Sequence, residues 1–249
     1  MFRPTRSLLL PALAASLAAN AQTAFELVSN GGFEVVTATP NTFDQLNLVE
    51  GWSNVTIGLS DVFDSTATAK TVGLPDNLYG KVEPKEGERC VGFFAWKDDK
   101  RRTWEAGHSD PFMPGWSSYS EYVMTQLTSP LEEGKEYTFS MDVMLAGGSD
   151  RAVSALGGYF SPVPLKYQHR RFLEEKAQVA AEKVVDARGE WTRITGTFVA
   201  DGGERYLIIG VFPYVGLDTK AVVEGPDNQY AYYYLDAVSV KLAPPPVQE

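Results

Sequence analysis

Cysteine is nearly absent from this 249-residue chain: Cys90 stands alone. No disulfide can form within the molecule, so the fold must rest on a buried core, which a chain of this length can supply. Cys90 has no thiolate-activating cluster near it in sequence and reads as a small buried apolar side chain. Histidine is almost as scarce. His108 and His169 are the two in the chain, too few for a multi-histidine metal centre and a poor basis for a histidine-dependent triad. No serine or cysteine nucleophile motif accompanies the neighbouring His108 and Asp110. No glycine-rich loop follows a strand pattern and opens a helix, so a nucleotide site is not indicated. Positive charge is also short. Lys and Arg number 22 against 32 Asp and Glu, a net charge of −10, which repels phosphate backbones and argues against a nucleic-acid partner. There is no internal repeat and no long low-complexity tract.

The chain also lacks a hydrophobic run long enough to span a bilayer, which takes about 20 residues. The apolar, uncharged stretch 7–19 follows Arg3 and Arg6 and precedes Ala19-Asn20-Ala21. A positive start, a short apolar run and a small-x-small site make residues 1–21 a secretory signal peptide, cleaved after Ala21. The mature chain is therefore expected to be exported, to the periplasm, the outer-membrane surface or the extracellular space, with no transmembrane span. Residues 22–242 suit one large β domain. Residues 243–249, with Pro244-Pro245-Pro246, form a stiff proline-rich tail.

What is present is period-2 alternation. In 136–145, Tyr137, Phe139, Met141, Val143 and Leu145 share one face, and Thr138, Ser140 and Asp142 the other, the pattern of a half-buried strand. Segment 191–200 alternates again, Asp201-Gly202-Gly203 reads as a turn, and 205–212 is apolar on both faces. Together they predict a hairpin. Further strands are expected at 55–59, 91–96, 119–127, 153–160 and 230–242, separated by proline and glycine breakers. Segment 170–184, rich in Ala, Glu, Lys and Leu, is expected to be one short inserted helix. The expected fold class is an all-β sandwich or barrel with that one helix.

Two groups of residues invite a functional reading. Trp104, Trp116 and Tyr119 border a polar loop containing Lys97-Asp-Asp-Lys-Arg-Arg102. Sugars stack their C–H faces on aromatic rings while charged and amide groups fix the hydroxyls, so these three are candidate glycan-binding residues. Core and edge packing is the competing reading, and for Trp96, Trp52 and Trp191 the favoured one. Asp236, in alternation with Val238 and Val240, places a carboxylate on what reads as the core face. A buried charge is costly unless paired, hydrogen-bonded or metal-bound.

Several motifs carry a family resemblance. Leu27-Val-Ser-Asn-Gly-Gly-Phe-Glu34 is followed by Gly51-Trp52-Ser53 and Val72-Gly-Leu-Pro-Asp-Asn77. Later come Trp191-Thr-Arg-Ile-Thr-Gly-Thr-Phe-Val-Ala200, Gly202-Gly-Glu-Arg-Tyr-Leu-Ile-Ile-Gly210 and Tyr232-Tyr-Tyr-Leu-Asp236. In order and spacing they resemble carbohydrate-binding-module jelly rolls, also called galactose-binding-like domains. More narrowly, the set resembles the N-terminal domain of some outer-membrane protein A family proteins of Bacteroidetes. The resemblance implies a jelly-roll sandwich and a structural calcium held by Glu34 and Asp236, with backbone carbonyls of 30–32 completing the shell. The alternative is an Asp236 satisfied by backbone N–H groups and an exposed Glu34. The family's paired Asp-Asp is here Asp236-Ala237. Three functions follow: a non-catalytic exported envelope protein with a structural or interaction role; a module binding envelope or extracellular glycans; and a glycoside-acting enzyme. The first is the leading expectation, with a glycan or an envelope protein as partner.

Overall fold

The computed structural model describes residues 25–98, 118–213, 216–222 and 230–244. The expected signal peptide, residues 1–21, lies outside them, as do most of the proline-rich tail and the segment with Lys100, Arg101, Arg102, Trp104, His108 and Trp116. The strands are β1 (Trp52–Asn54), β2 (Asp61–Asp64), β3 (Asp76–Asn77), β4 (Gly80–Lys81), β5 (Arg89–Asp98), β6 (Ser118–Tyr119), β7 (Val123–Gln126) and β8 (Glu136–Leu145). They continue as β9 (Arg151–Val153), β10 (Leu156–Ser161), β11 (Val179–Ala180), β12 (Thr192–Val199), β13 (Tyr206–Val211), β14 (Thr219–Ala221) and β15 (Tyr230–Leu242). Helical structure among the described residues is limited to 3-10 turns, one at Leu46–Leu48 and one at Pro213.

Two antiparallel sheets face each other in a jelly-roll sandwich. One runs β12-β8-β15-β5-β2, with β6 paired to β5; the other runs β1-β7-β13-β10-β11. Alternation builds the core between them. Phe139, Met141 and Val143 of β8, Val91 and Phe93 of β5 and Tyr233 and Leu235 of β15 meet Leu207, Ile209 and Val211 of β13. Each large apolar side chain so buried stabilises the fold by about 1.5–3 kcal/mol relative to leaving it exposed.

Both sheets are apolar on their outer faces as well. Phe63, Phe94, Tyr232 and Tyr234 lie outside the first sheet beneath segment 65–83. Tyr122, Met124, Ile208 and Phe212 lie outside the second beneath segment 162–178. The two-sided apolarity of β13 therefore comes from a strap laid over its outer side.

That strap corrects the expected helix at 170–184. The segment is extended, and its β11 pairs with Gly157 and Gly158 of β10. A Cβ on Gly157 would overlap the Val179 carbonyl oxygen, so the bare glycine backbone gives the strap a docking edge. Side-chain contacts complete it: the amide of Leu173 donates to the Tyr122 hydroxyl, and Gln178 accepts from the amide of Phe160. Tertiary pairing overrides the helical composition.

The expected hairpin is also corrected. β12 pairs with β8 in one sheet, while β13 pairs with β10 and β7 in the other. The turn between them carries the chain across the sandwich. Gly202 and Gly203 take φ of 97° and 89°, and buried Glu204 accepts from the amides of Asp201 and Gly202. Segment 119–127 likewise divides into β6 and β7, one in each sheet. The expected strand at 55–59 is instead irregular chain after β1.

Candidate functional site

The outer face of the first sheet collects aromatic side chains from distant parts of the sequence. β15 contributes Tyr230 and Tyr232, β5 Phe94 and β6 Tyr119, while the chain before β2 and between β3 and β4 contributes Phe43 and Tyr79. Phe94 and Tyr232 are buried; Phe43, Tyr79, Tyr119 and Tyr230 are half-buried. Tyr79 stacks flat on Tyr232, 3.8 Å between centroids at 15°. From Phe43 the rings run on to Tyr79 at 5.3 Å and Phe94 at 5.6 Å, which then meets Tyr119 at 5.8 Å and Tyr230 at 5.6 Å. Edge-to-face contacts fix the planes of these rings and leave faces and edges at the surface.

Two carboxyls anchor this row from beneath. Tyr232 donates its hydroxyl to Asp61 at 2.6 Å, and the amide of Asp44 donates to the same carboxyl at 2.7 Å. Tyr119 donates to Glu121 at 2.5 Å, and the amide of Phe94 donates to its other oxygen at 2.9 Å. Asp61 and Glu121 are 3% and 2% exposed. Burial raises Asp61 to about 6 against the opposing pull of Tyr232 and the Asp44 amide. Burial also raises Glu121, against the Tyr119 hydrogen bond and with Asp61 and Asp44 adding repulsion. These acids hold tyrosine hydroxyls in place rather than facing solvent. Gly58 permits the approach: a Cβ there would sit 2.9 Å from the Glu121 side chain. Two cations lie on the same row. The Lys97 ammonium is 4.7 Å above the Phe94 ring centre, and the Arg170 guanidinium is 5.5 Å from that of Tyr119.

Of the expected glycan-binding residues, Tyr119 stands in this row, while Trp104 and Trp116 lie outside the described residues. The segment carrying them leaves β5 after Asp98 and returns at Ser118, which pairs with Asp98 beside Tyr119. The other tryptophans pack as expected. Trp96 is buried, Trp52 is buried with its indole N–H on the Asn30 carbonyl, and Trp191 is partly buried against the outer aromatic cluster. Cys90 is fully buried, and burial pushes its thiol up.

Asp61, Glu121 and Tyr79 carry no sequence motif and were not among the expected residues. One signal was available for Glu121: it is an acid inside the apolar stretch 119–127.

Glu34 and Asp236 do come together, on one turn. Asp236 accepts from the amides of Lys85 at 2.8 Å, Glu86 at 3.2 Å and Ala237 at 2.7 Å. Glu34 accepts from the amides of Glu88 and Arg89 at 3.0 Å and from the Arg89 guanidinium at 3.3 Å. Asp236 does not share a face with Val238 and Val240. A bulge between Asp236 and Ser239, with Ala237 at φ 50°, shifts the alternation. Val238 and Val240 point into the core, and Asp236 lies on the outer side beneath 85–86. Burial pushes Asp236 up to about 7 while its three N–H donors pull it down. This donor set fits a calcium ion poorly: the carboxylates are turned to N–H groups, and a guanidinium stands beside Glu34. Among the described residues no group of three or more acidic, His or Cys side chains gathers for a metal.

Residues 117–212 match the family model described as "Carbohydrate binding domain". This covers β6 to β13, less than half of the chain. No curated protein matches the sequence. Among solved structures, the chain is similar to the CBM22-1 xylan-binding domain of Xyn10C from Paenibacillus barcinonensis. Identity is 13%, with 88% of this chain and 95% of that one covered, at a TM-score of 0.42. It is also similar to the K1 cleaved adhesin domain of Lys-gingipain from Porphyromonas gingivalis, at 13% identity, 78% and 92% coverage and a TM-score of 0.38. Likeness at this level names no ligand. The family match speaks to the wider resemblance to carbohydrate-binding jelly rolls and not to the narrower one with outer-membrane protein A family domains.

Proposed function

We propose that this protein is a non-catalytic glycan-binding domain that works outside the cytoplasm, taking its ligand on the outer face of the sheet containing β15, β5 and β6. The observation that carries this reading is the row of half-buried rings, Phe43, Tyr79, Tyr119 and Tyr230, anchored by buried Asp61 and Glu121. Rigid aromatic faces with polar groups among them suit the C–H faces and hydroxyls of a pyranose. The carbohydrate-binding family match over 117–212, which takes in Tyr119 and Glu121, supports binding over a purely structural envelope role. Export rests on the N-terminal pattern of residues 1–21. The role proposed for Asp61 and Glu121 is positional. Both are sealed under the rings, which favours binding over glycoside cleavage.

A glycan array probed with the mature chain, residues 22–249, tests the reading. Saturable binding that Tyr79→Ala weakens at least tenfold is expected. A folded protein that binds no glycan would return the leading role to a structural or protein-partner function.

A further inference from the structure

Resting on that reading, we infer that the ring row selects glycans carrying negative charge, such as uronic-acid or sulfated sugars. Lys97 and Arg170 come from separate parts of the chain, one on β5 and one on the strap over the second sheet. Yet they stand over adjacent rings, Phe94 and Tyr119, whose centres are 5.8 Å apart. Neither makes an ion pair among the described residues, although Arg89, Arg193 and Lys220 each hold a carboxylate. A cation seated on a ring keeps its full charge and offers its remaining N–H groups outward. A guanidinium stacked this way presents its planar fork to a carboxylate or sulfate.

The anions of the site are arranged the opposite way. Asp61 and Glu121 spend their oxygens on the hydroxyls of Tyr232 and Tyr119 and on the amides of Asp44 and Phe94, below the ring surface. The exposed acid Asp44, next to Phe43 in the chain, is close enough to act electrostatically on Tyr119 and Glu121. Among the described residues, a ligand on Tyr119 beside Phe94 thus meets two cations, with Asp44 as the exposed acid that opposes them. The net charge of −10 does not reverse this. Beyond about 8 Å it is largely screened at physiological salt, so it slows approach more than it weakens close contacts.

The test compares polygalacturonate, alginate and hyaluronan with neutral xylan and galactan in affinity gels at low and high salt. The wild type is run beside Lys97→Met and Arg170→Gln. At least one acidic polymer should be retained about tenfold more tightly than both neutral ones. That margin should collapse in 0.5 M salt, and each variant should lose about three- to tenfold on the acidic polymer alone. Equal retention of acidic and neutral polymers, or variants that leave acidic binding unchanged, would overturn the inference and leave the glycan-binding reading intact. Retention of no polymer by folded protein would overturn both.

Discussion

Replacing Asp236 with alanine should destabilise the protein most at acid pH. In the folded chain this residue is fully buried and is the acceptor for three backbone N–H groups, those of Lys85, Glu86 and Ala237. A buried donor left without an acceptor costs about 1–3 kcal/mol, so losing all three costs at least about 3 kcal/mol. The opposing effect is relief of a carboxyl that burial pushes up from 3.8 to about 7. A folded-state value above the unfolded one stabilises the wild type fully below pH 4, and this contribution is lost as pH rises through 7. The shift amounts to about 4 kcal/mol across that window, as an order of magnitude. Urea denaturation at pH 5, 7 and 9 should therefore show Asp236→Ala clearly weaker at pH 5, with the gap closing toward pH 9. A variant as stable as wild type at pH 5 would refute the clamp. A gap that widens with pH would mean that the N–H donors, not burial, govern the carboxyl. The same melts with calcium and with chelator should coincide. A calcium-dependent rise in the wild type, lost in Asp236→Ala, would restore the metal implied by the family resemblance.

Three further outcomes are expected. Gly157→Val would collide with the Val179 carbonyl and Ala180, so limited proteolysis should cut within 162–184 much faster than in wild type. Trp52→Phe removes the 2.8 Å bond from the indole N–H to the Asn30 carbonyl in a buried setting. It should lower unfolding free energy by about 1–2 kcal/mol while leaving the circular dichroism spectrum unchanged. Prolonged incubation with any glycan the protein binds should release no reducing ends, and measurable release would make Asp61 and Glu121 catalytic candidates.

Strands were legible in the sequence where alternation or a dense run of β-forming residues marks them, the latter in β15 although residues 231–236 are buried on both faces. The alternation in 136–145 and the run 230–242 gave β8 and β15 with their observed ends. Where outer loops cover a sheet, alternation loses its meaning, and β13 reads as apolar throughout. Sheet exchange leaves no local mark either. The glycines after β12 look the same whether the next strand folds back or crosses the sandwich, so a hairpin was expected where the chain changes sheets. The side on which Asp236 lies turns on one left-handed residue, Ala237, of a type that rarely adopts that backbone. Of the proposed site, only Tyr119 was expected from the sequence. Its other members, from Phe43 to Tyr232, are gathered by pairing between strands far apart in sequence, and no spacing rule could assemble them.

The central claim is that a glycan binds the ring row of the first sheet. Isothermal titration of the tightest array ligand into wild type, Tyr79→Ala, Tyr119→Ala and Tyr206→Ala tests it most directly, since Tyr206 packs with the outer cluster of the second sheet. A ring that buries about 50–80 Å² of apolar surface under a sugar face contributes about 1–2 kcal/mol. A loss of about ten- to thirtyfold in the first two variants, with Tyr206→Ala within twofold of wild type, is the result expected. Unchanged binding in Tyr79→Ala and Tyr119→Ala, with Tyr206→Ala impaired, would contradict the claim and move the site to the opposite face.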